Sequence, residues 1–321
     1  MDVDFIKKKK VMIAGGSGLL GISLTKLLIA IGVSVESTYF SRIPPDDIKV
    51  YYKQYDFTRF KDCLAATAGK NYVLICAGHV SGVAEQKKNP MAQIRPNLQI
   101  HTGLLEACSQ NNVEKVVWIS SSTVYQEAFY AIREDQLDMN KLPYQTYQGI
   151  GLTYRYLEQL TKFYYQSQGL QIGIIRTSYL YGPYDRFDEK QNHVIPALIK
   201  RALRKEKPFV VWGKDHVVRD FIYVDDLSKA ILKVLKSYCI AEPINFSYGI
   251  PVTIGELVHL ILDVCGHKVL PQYDPDKPTS IPYRVLDNTK FNGLFGEMKK
   301  TILAEGIRKT VAWYTSEFYR E

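Results

Sequence analysis

The chain has 321 residues, 46% of them hydrophobic, 12% aromatic and 23% charged, with a formal net charge of +8. That apolar content excludes intrinsic disorder, and a chain this long buries roughly three quarters of its unfolded surface without a disulfide or metal staple. No apolar run approaches the ~18 residues of a membrane span, the positive charges are spread rather than gathered into a nucleic-acid-binding run, and five scattered cysteines with no CxxC pair argue against a disulfide framework or a zinc site.

The opening MDVDFIKKKK has its charges on the wrong side of its few apolar residues for a secretory leader, so a cytoplasmic setting is expected. From there short apolar runs predict strands at Val11–Ala14, Val33–Thr38, Val50–Tyr55, Tyr72–Cys76, Val116–Ser120 and Ile172–Arg176. Between them Leu19–Ile31, Phe60–Ala68, Met91–Gln110 and Ile150–Gln168 read as helices. Nearly continuous apolar strands alternating with helices indicate an α/β fold, a doubly wound parallel sheet covered on both faces. After Tyr181 frequent prolines break the pattern into short elements. The expected organisation is a dinucleotide-binding domain at 1–177, rejoined by 214–248, and a smaller substrate lobe from 178–213 and 249–321.

VMIAGGSGLLG at Val11–Gly21 spaces Gly15, Gly18 and Gly21 as GxxGxxG directly between a strand and a helix. Such glycines let the backbone approach a pyrophosphate, and the helix start at Leu19, Leu20 and Gly21 offers free N–H groups to that anion. Dinucleotides that lack a ribose 2′-phosphate usually meet an acidic residue at the end of the second strand. Here Tyr39 holds that position and Ser41 and Arg42 follow, so NADP(H) is favoured over NAD(H), with a solvated loop charge as the plain alternative for Arg42. Asp56 and Phe57 are placed to meet the adenine, and Ala77 and Gly78 to line the cofactor beyond the fourth strand.

GGSGLLG, CAGHVSG at Cys76–Gly82, ISSSTVY at Ile119–Tyr125, YGPYDRFD at Tyr181–Asp188, NHVIPALIKR at Asn192–Arg201, VVWG at Val210–Gly213 and VRDFIYVDDL at Val218–Leu227 resemble one family over nearly the whole chain. It is that of the extended short-chain dehydrogenase/reductases acting on nucleotide sugars, and HVIPAL and VVWG are particularly similar to its GDP-fucose synthase-like members. The resemblance implies that Ser121 and Thr123 contact the reacting sugar and that Asn97 braces the active-site helix. It further implies that Arg219 grips a substrate diphosphate, that Asn192, Lys200 and Trp212 complete the nucleotide-sugar site, and that His193 takes part in epimerisation. For the serines and the histidine the plain alternatives are a strand-end cap and a satisfied core imidazole. A homodimer through the helices Met91–Gln110 and Ile150–Gln168 is also implied, with a heteromer containing an active relative as its alternative.

The family's chemistry relies on a Tyr-x-x-x-Lys pair one helical turn apart, the lysine lowering the tyrosine pKa and holding the nicotinamide ribose. Counting back from Gly169 and Glu158, the tyrosine position falls on Ile150 and the lysine position on Tyr154. No lysine lies four residues after any tyrosine of this segment, and the literal match Tyr273/Lys277 sits in a proline-rich stretch elsewhere. Ile150 cannot move a proton, and a neutral phenol at Tyr154 supplies no cation to a ribose. Tyr147, a turn earlier, and His193 are the candidate substitutes. Two readings stay open: an NAD(P)-dependent oxidoreductase, epimerase or dehydratase acting on a GDP- or UDP-sugar at C4 or a neighbouring carbon with an atypical acid/base, and a catalytically silent relative that binds cofactor or nucleotide sugar and serves as a regulatory or partner subunit.

Overall fold

A computed structural model describes residues 3–48, 50–80, 88–187, 193–277 and 280–318. Seven strands form one parallel sheet: β1 (Val11–Ala14), β2 (Val35–Tyr39), β3 (Tyr51–Gln54), β4 (Tyr72–Ile75), β5 (Lys115–Ser121), β6 (Gln171–Thr177) and β7 (Pro243–Phe246), in the order β7-β6-β5-β4-β1-β2-β3. Alternate side chains feed opposite cores, as a pleated strand requires. Val11, Ile13, Leu74, Val117 and Ile175 pack with α1 (Leu19–Ala30) and with a helix at Val224–Ser237 on one face. Met12, Val73, Ile75, Val116, Trp118 and Ile174 pack on the other with α2 (Phe60–Thr67), α3 (Ile94–Gln110) and α4 (Gln148–Gln168). Strand order reverses between β1 and β4, and in open sheets of this kind that opens a crevice at the carboxyl ends of the strands.

Most expected boundaries shift by one or two residues, and two of the larger shifts, each at the start of an element, have local reasons. β2 begins at Val35, because Gly32 (φ 76°) turns the chain out of α1 and the Val33 N–H reaches back to the Leu28 carbonyl at 3.0 Å. α3 begins at Ile94, which places Pro96 in the first turn, where a missing N–H breaks no helical bond.

The second core gathers Phe209, Val211 and Phe221 with α5 (Val194–Leu203), α7 (Ile254–Val264) and α9 (Leu303–Phe318) around it, while α6 (Val224–Ser237) packs on the sheet. Short ladders stitch it to the sheet domain: Tyr179–Tyr181 beside Phe221–Tyr223, Val218–Arg219 against Val252–Thr253, and Ala131–Ile132 beside Val285–Leu286. Between α7 and α9, helix α8 (Thr289–Phe295) packs back onto the sheet domain, with the Phe291 ring 4.5 Å from that of Phe246 on β7. Among the described residues no helix is long and apolar enough to cross a membrane.

Candidate functional site

At the crevice, β1 runs straight into the glycine turn. The Gly15 N–H donates to Thr38 Oγ1 at 3.0 Å, and that hydroxyl donates to the Ile13 carbonyl at 3.0 Å, so β2 holds the turn in place. Gly15 has φ 82°, and a Cβ there would lie 2.7 Å from the Ala77 backbone, so only glycine lets the turn close against the exit of β4. Gly18 is the extended N-cap of α1, and the first backbone bond of that helix runs from the Ile22 N–H to the Gly18 carbonyl at 2.9 Å. The N–H groups of Leu19, Leu20 and Gly21 precede it and lack helical acceptors. A cradle of this shape and polarity fits a dinucleotide pyrophosphate.

Around the cradle the expected cofactor residues divide. Tyr39 ends β2 and its carbonyl accepts the Tyr55 N–H at 2.9 Å; Ser41 is exposed. Arg42 donates through Nη2 to the Tyr184 carbonyl at 2.7 Å, so its guanidinium ties the loop after β2 to the Pro183–Asp185 turn. Asp56 accepts both the N–H (3.1 Å) and the hydroxyl (2.6 Å) of Thr58, a turn that commits one carboxylate oxygen locally and leaves Phe57 buried behind it. Ala77 and the exposed Gly78 leave β4 over the crevice. Asn97 pins this exit, accepting the His79 N–H (2.9 Å) and donating to the His79 and Gln93 carbonyls (2.9 and 2.7 Å).

The end of β5 carries Ser121, whose hydroxyl oxygen accepts from the Thr123 N–H (3.2 Å) and the Thr123 hydroxyl (3.0 Å). That leaves the Ser121 proton available to a ligand. Helix α4 lies hard against this turn: a Cβ on Gly151 would approach the Thr123 carbonyl oxygen to 2.5 Å. Its anchor is a buried pair, Arg176 Nη2 to Glu158 Oε2 at 2.6 Å, joined by the Ser120 hydroxyl at 2.6 Å and extended through Arg176 to the Tyr125 hydroxyl at 2.8 Å. At the exit of β6 the buried hydroxyls of Thr177 and Ser178 have no partner among the described residues.

Along α4 the three expected positions part company. Ile150 is half-buried and lines a shallow pocket with Pro90, Gln93 and Leu152. Tyr154 sends its hydroxyl to the exit of β4, 3.7 Å from where a Cβ on Gly78 would stand, and burial pushes this phenol up to about 12. Tyr147 departs from the expected placement on the Ile150 face. It is the N-cap residue (φ −109°, ψ 8°), outside the helical repeat, and its buried phenol lies beside Tyr179, Ser280 and Arg219. Burial raises it well above the ordinary tyrosine range, so it donates a proton to a bond rather than releasing one.

Arg219 is buried, donates to the Val218 carbonyl at 2.7 Å and to the Ser280 hydroxyl, and stacks over Tyr179. Arg284 lies buried in the same cluster, donating to the Tyr125 carbonyl at 3.2 Å, and burial brings it down to about 10. Two guanidiniums enclosed by phenols have the chemistry to hold an anion, and neither pairs with a carboxylate among the described residues. His193 stands at the N-cap position of α5 without a side-chain capping bond, its Nδ1 3.1 Å from the buried Asp185 carboxylate, whose other oxygen lacks a partner among the described residues. Lys200 donates to the Phe187 carbonyl (3.2 Å), Trp212 is exposed at the end of Phe209–Trp212, and Asn192 lies outside the described residues.

The model of the NAD dependent epimerase/dehydratase family matches residues 11–246, from the glycine strand to the last strand of the sheet. The chain belongs to this family. A nicotinamide cofactor goes with that membership. The chain is 29% identical over 321 residues to a probable GDP-L-fucose synthase 1 of Oryza sativa subsp. japonica, covering 96% of this chain and 92% of that protein. It is 30% identical over 254 residues to the GDP-L-colitose synthase of Yersinia pseudotuberculosis, covering 77% and 82%. A solved GDP-L-fucose synthetase from Naegleria fowleri bound to NADP shares the fold with a TM-score of 0.82 at 20% identity, over 99% of this chain and 97% of that one. Arg284, Ser280, Tyr179 and Asp185 escaped the sequence reading, because they stand at no recurring distance from Arg219 or His193 and meet them only through the lobe's short ladders.

Proposed function

We propose that the chain binds NADP(H) and a GDP- or UDP-linked sugar and carries out reduction or epimerisation at C4 or a neighbouring carbon without the usual Tyr–Lys pair. The observation that carries this is the path of α4, whose first two turns join three sites. Tyr147 enters the Arg219–Arg284 cluster, Gly151 touches the Ser121–Thr123 turn, and Tyr154 reaches the cofactor side at Gly78. The arginine cluster suits a diphosphate, Ser121 a sugar hydroxyl or carbonyl, and the glycine cradle the pyrophosphate of a dinucleotide. When bound, the nicotinamide supplies hydride exchange with a sugar carbon. The chain's own part is to orient the sugar through Ser121 and Thr123 and to move a proton.

For that proton His193 is the candidate, since imidazole exchanges near neutrality and Asp185 fixes its orientation at 3.1 Å. The relatives' names favour a GDP-sugar, and Tyr39 in place of a carboxylate at the end of β2 favours NADP(H). A second copy is the proposed partner, through the exposed stripe of Leu152, Tyr156 and Phe163 on α4. One observation favours the silent-relative reading: the uncharged Ile150 and Tyr154 leave the cofactor end without an evident acid/base.

Mass spectrometry of copurified ligands, followed by calorimetric titration with NADP(H), NAD(H), GDP-sugars and UDP-sugars, tests the proposal. Binding of a dinucleotide together with a nucleoside-diphosphate sugar supports it. Binding of a dinucleotide but of neither sugar nucleotide overturns the substrate half.

A further inference from the structure

The environment of Tyr154 contains a group the proposed chemistry has not used. His101 on α3 is buried, 1% exposed, between the rings of Trp118 on β5 and Tyr154, with ring centroids 5.6 and 5.8 Å away. Trp118 and Tyr154 are themselves stacked at 5.5 Å and 20°. Indole nitrogen only donates, so the 3.1 Å bond from Trp118 Nε1 makes His101 Nδ1 an acceptor. The ring is thereby neutral, with its proton on Nε2. Burial agrees, holding the imidazole down to about 3.

That Nε2–H is buried and has no hydrogen-bond partner among the described residues. A buried donor left unpaired costs on the order of 1–3 kcal/mol, so its persistence asks for an explanation. It stands 3.9 Å from where a Cβ on Gly78 would lie, the same point that the Tyr154 hydroxyl approaches to 3.7 Å and Asn97 Oδ1 to 3.3 Å. The two free polar tips thus converge on the exposed exit of β4, next to the switch point beyond which a dinucleotide held at Gly15–Gly18 must extend.

We propose that His101 Nε2–H and the Tyr154 hydroxyl form an uncharged subsite for the vicinal hydroxyls of the nicotinamide ribose. The inference rests on the cofactor reading above. A neutral donor from the imidazole and a phenol that both donates and accepts match a diol, each satisfying one oxygen. Trp118 keeps the histidine in the required tautomer, and the stacked rings keep both tips from turning away.

Calorimetric titration with three related probes tests it: ADP, ADP-ribose and the full dinucleotide, carrying the 2′-phosphate if the wild type prefers NADP(H). Tyr154→Phe removes only an oxygen, and His101→Phe removes the donor. Each is expected to weaken ADP-ribose and dinucleotide binding roughly three- to ten-fold while leaving ADP unchanged. Should His101→Phe fail to fold, Tyr154→Phe alone decides. Unchanged affinity of Tyr154→Phe for ADP-ribose overturns the subsite, as does equal weakening of all three probes, which marks a general packing defect. If the wild type binds no nicotinamide dinucleotide, the cofactor reading falls and the subsite with it.

Discussion

Helix α4 begins among arginines and reaches, two turns on, a nest of uncharged rings. At Tyr147 the surroundings are Arg219 and Arg284, buried and enclosed by phenols; at Tyr154 they are His101 and Trp118, buried and neutral. The contrast separates two tasks that a single helix serves. Holding an anion needs a fixed, forked cation, which the first end has kept. Moving a proton needs a group whose charge changes near neutral pH, and the second end offers none: its phenol stands at about 12 and its imidazole at about 3. Binding and proton transfer are therefore separable here, and substitutions at the two ends have distinct readouts.

Glu158→Gln strikes both ends together. It leaves the buried Arg176 without its counter-charge, which costs about 3–5 kcal/mol, and denaturant unfolding of the variant is expected to show that loss. A cost below about 1 kcal/mol would mean that the pair does not anchor the helix. Changing the neutral end alone, Ile150→Tyr with Tyr154→Lys, is expected to raise turnover of a GDP- or UDP-4-keto sugar by about 10²-fold, at the low end of general acid–base effects because burial opposes a charged lysine. Steady-state rates without any gain would disprove the assigned positions. At the cationic end, Arg219→Ala is expected to weaken nucleoside-diphosphate binding roughly 10- to 100-fold with dinucleotide affinity intact; calorimetry that finds the sugar nucleotide unaffected removes Arg219 from the site.

The last effect concerns acid. The folded His101 titrates near 3 against an ordinary 6.5, so below 6.5 the unfolded chain takes up a proton that the folded chain refuses. Its contribution to stability is whole above about pH 6.5 and drains away as pH falls toward 3, by at most ~1.4 kcal/mol per pH unit. Thermal midpoints at pH 7 and 4.5 should converge in His101→Phe relative to wild type. Equal acid sensitivity of the two proteins would show that this imidazole is accessible to protons when folded.

Much of the sheet was legible because β1 and β4 are apolar on both faces and announce themselves as runs, and because the glycine turn has a fixed spacing. The lobe was not, since its ladders of two to four residues carry too little pattern to be seen, and α8 returns to Phe246 only after a proline-rich stretch that ends at Pro282. The helix register that puts Tyr154 at the exit of β4 could be counted from Glu158 and Gly169, whereas Tyr147 was assigned to the helix face one residue too soon for its N-cap geometry. His101 read as an ordinary helix residue because its partners, Trp118 and Tyr154, come from two other elements.

The contact of Gly151 with the Thr123 carbonyl works as a jig. Any larger residue at 151 would collide there at 2.5 Å, so α4 can neither roll nor slide across the β5 turn without losing that seating. Side chains installed at 150 and 154 inherit the same mounting relative to the hydroxyls at 121 and 123. A rate change produced at either position consequently reports the chemistry of the new group and not a shift of the platform that carries it.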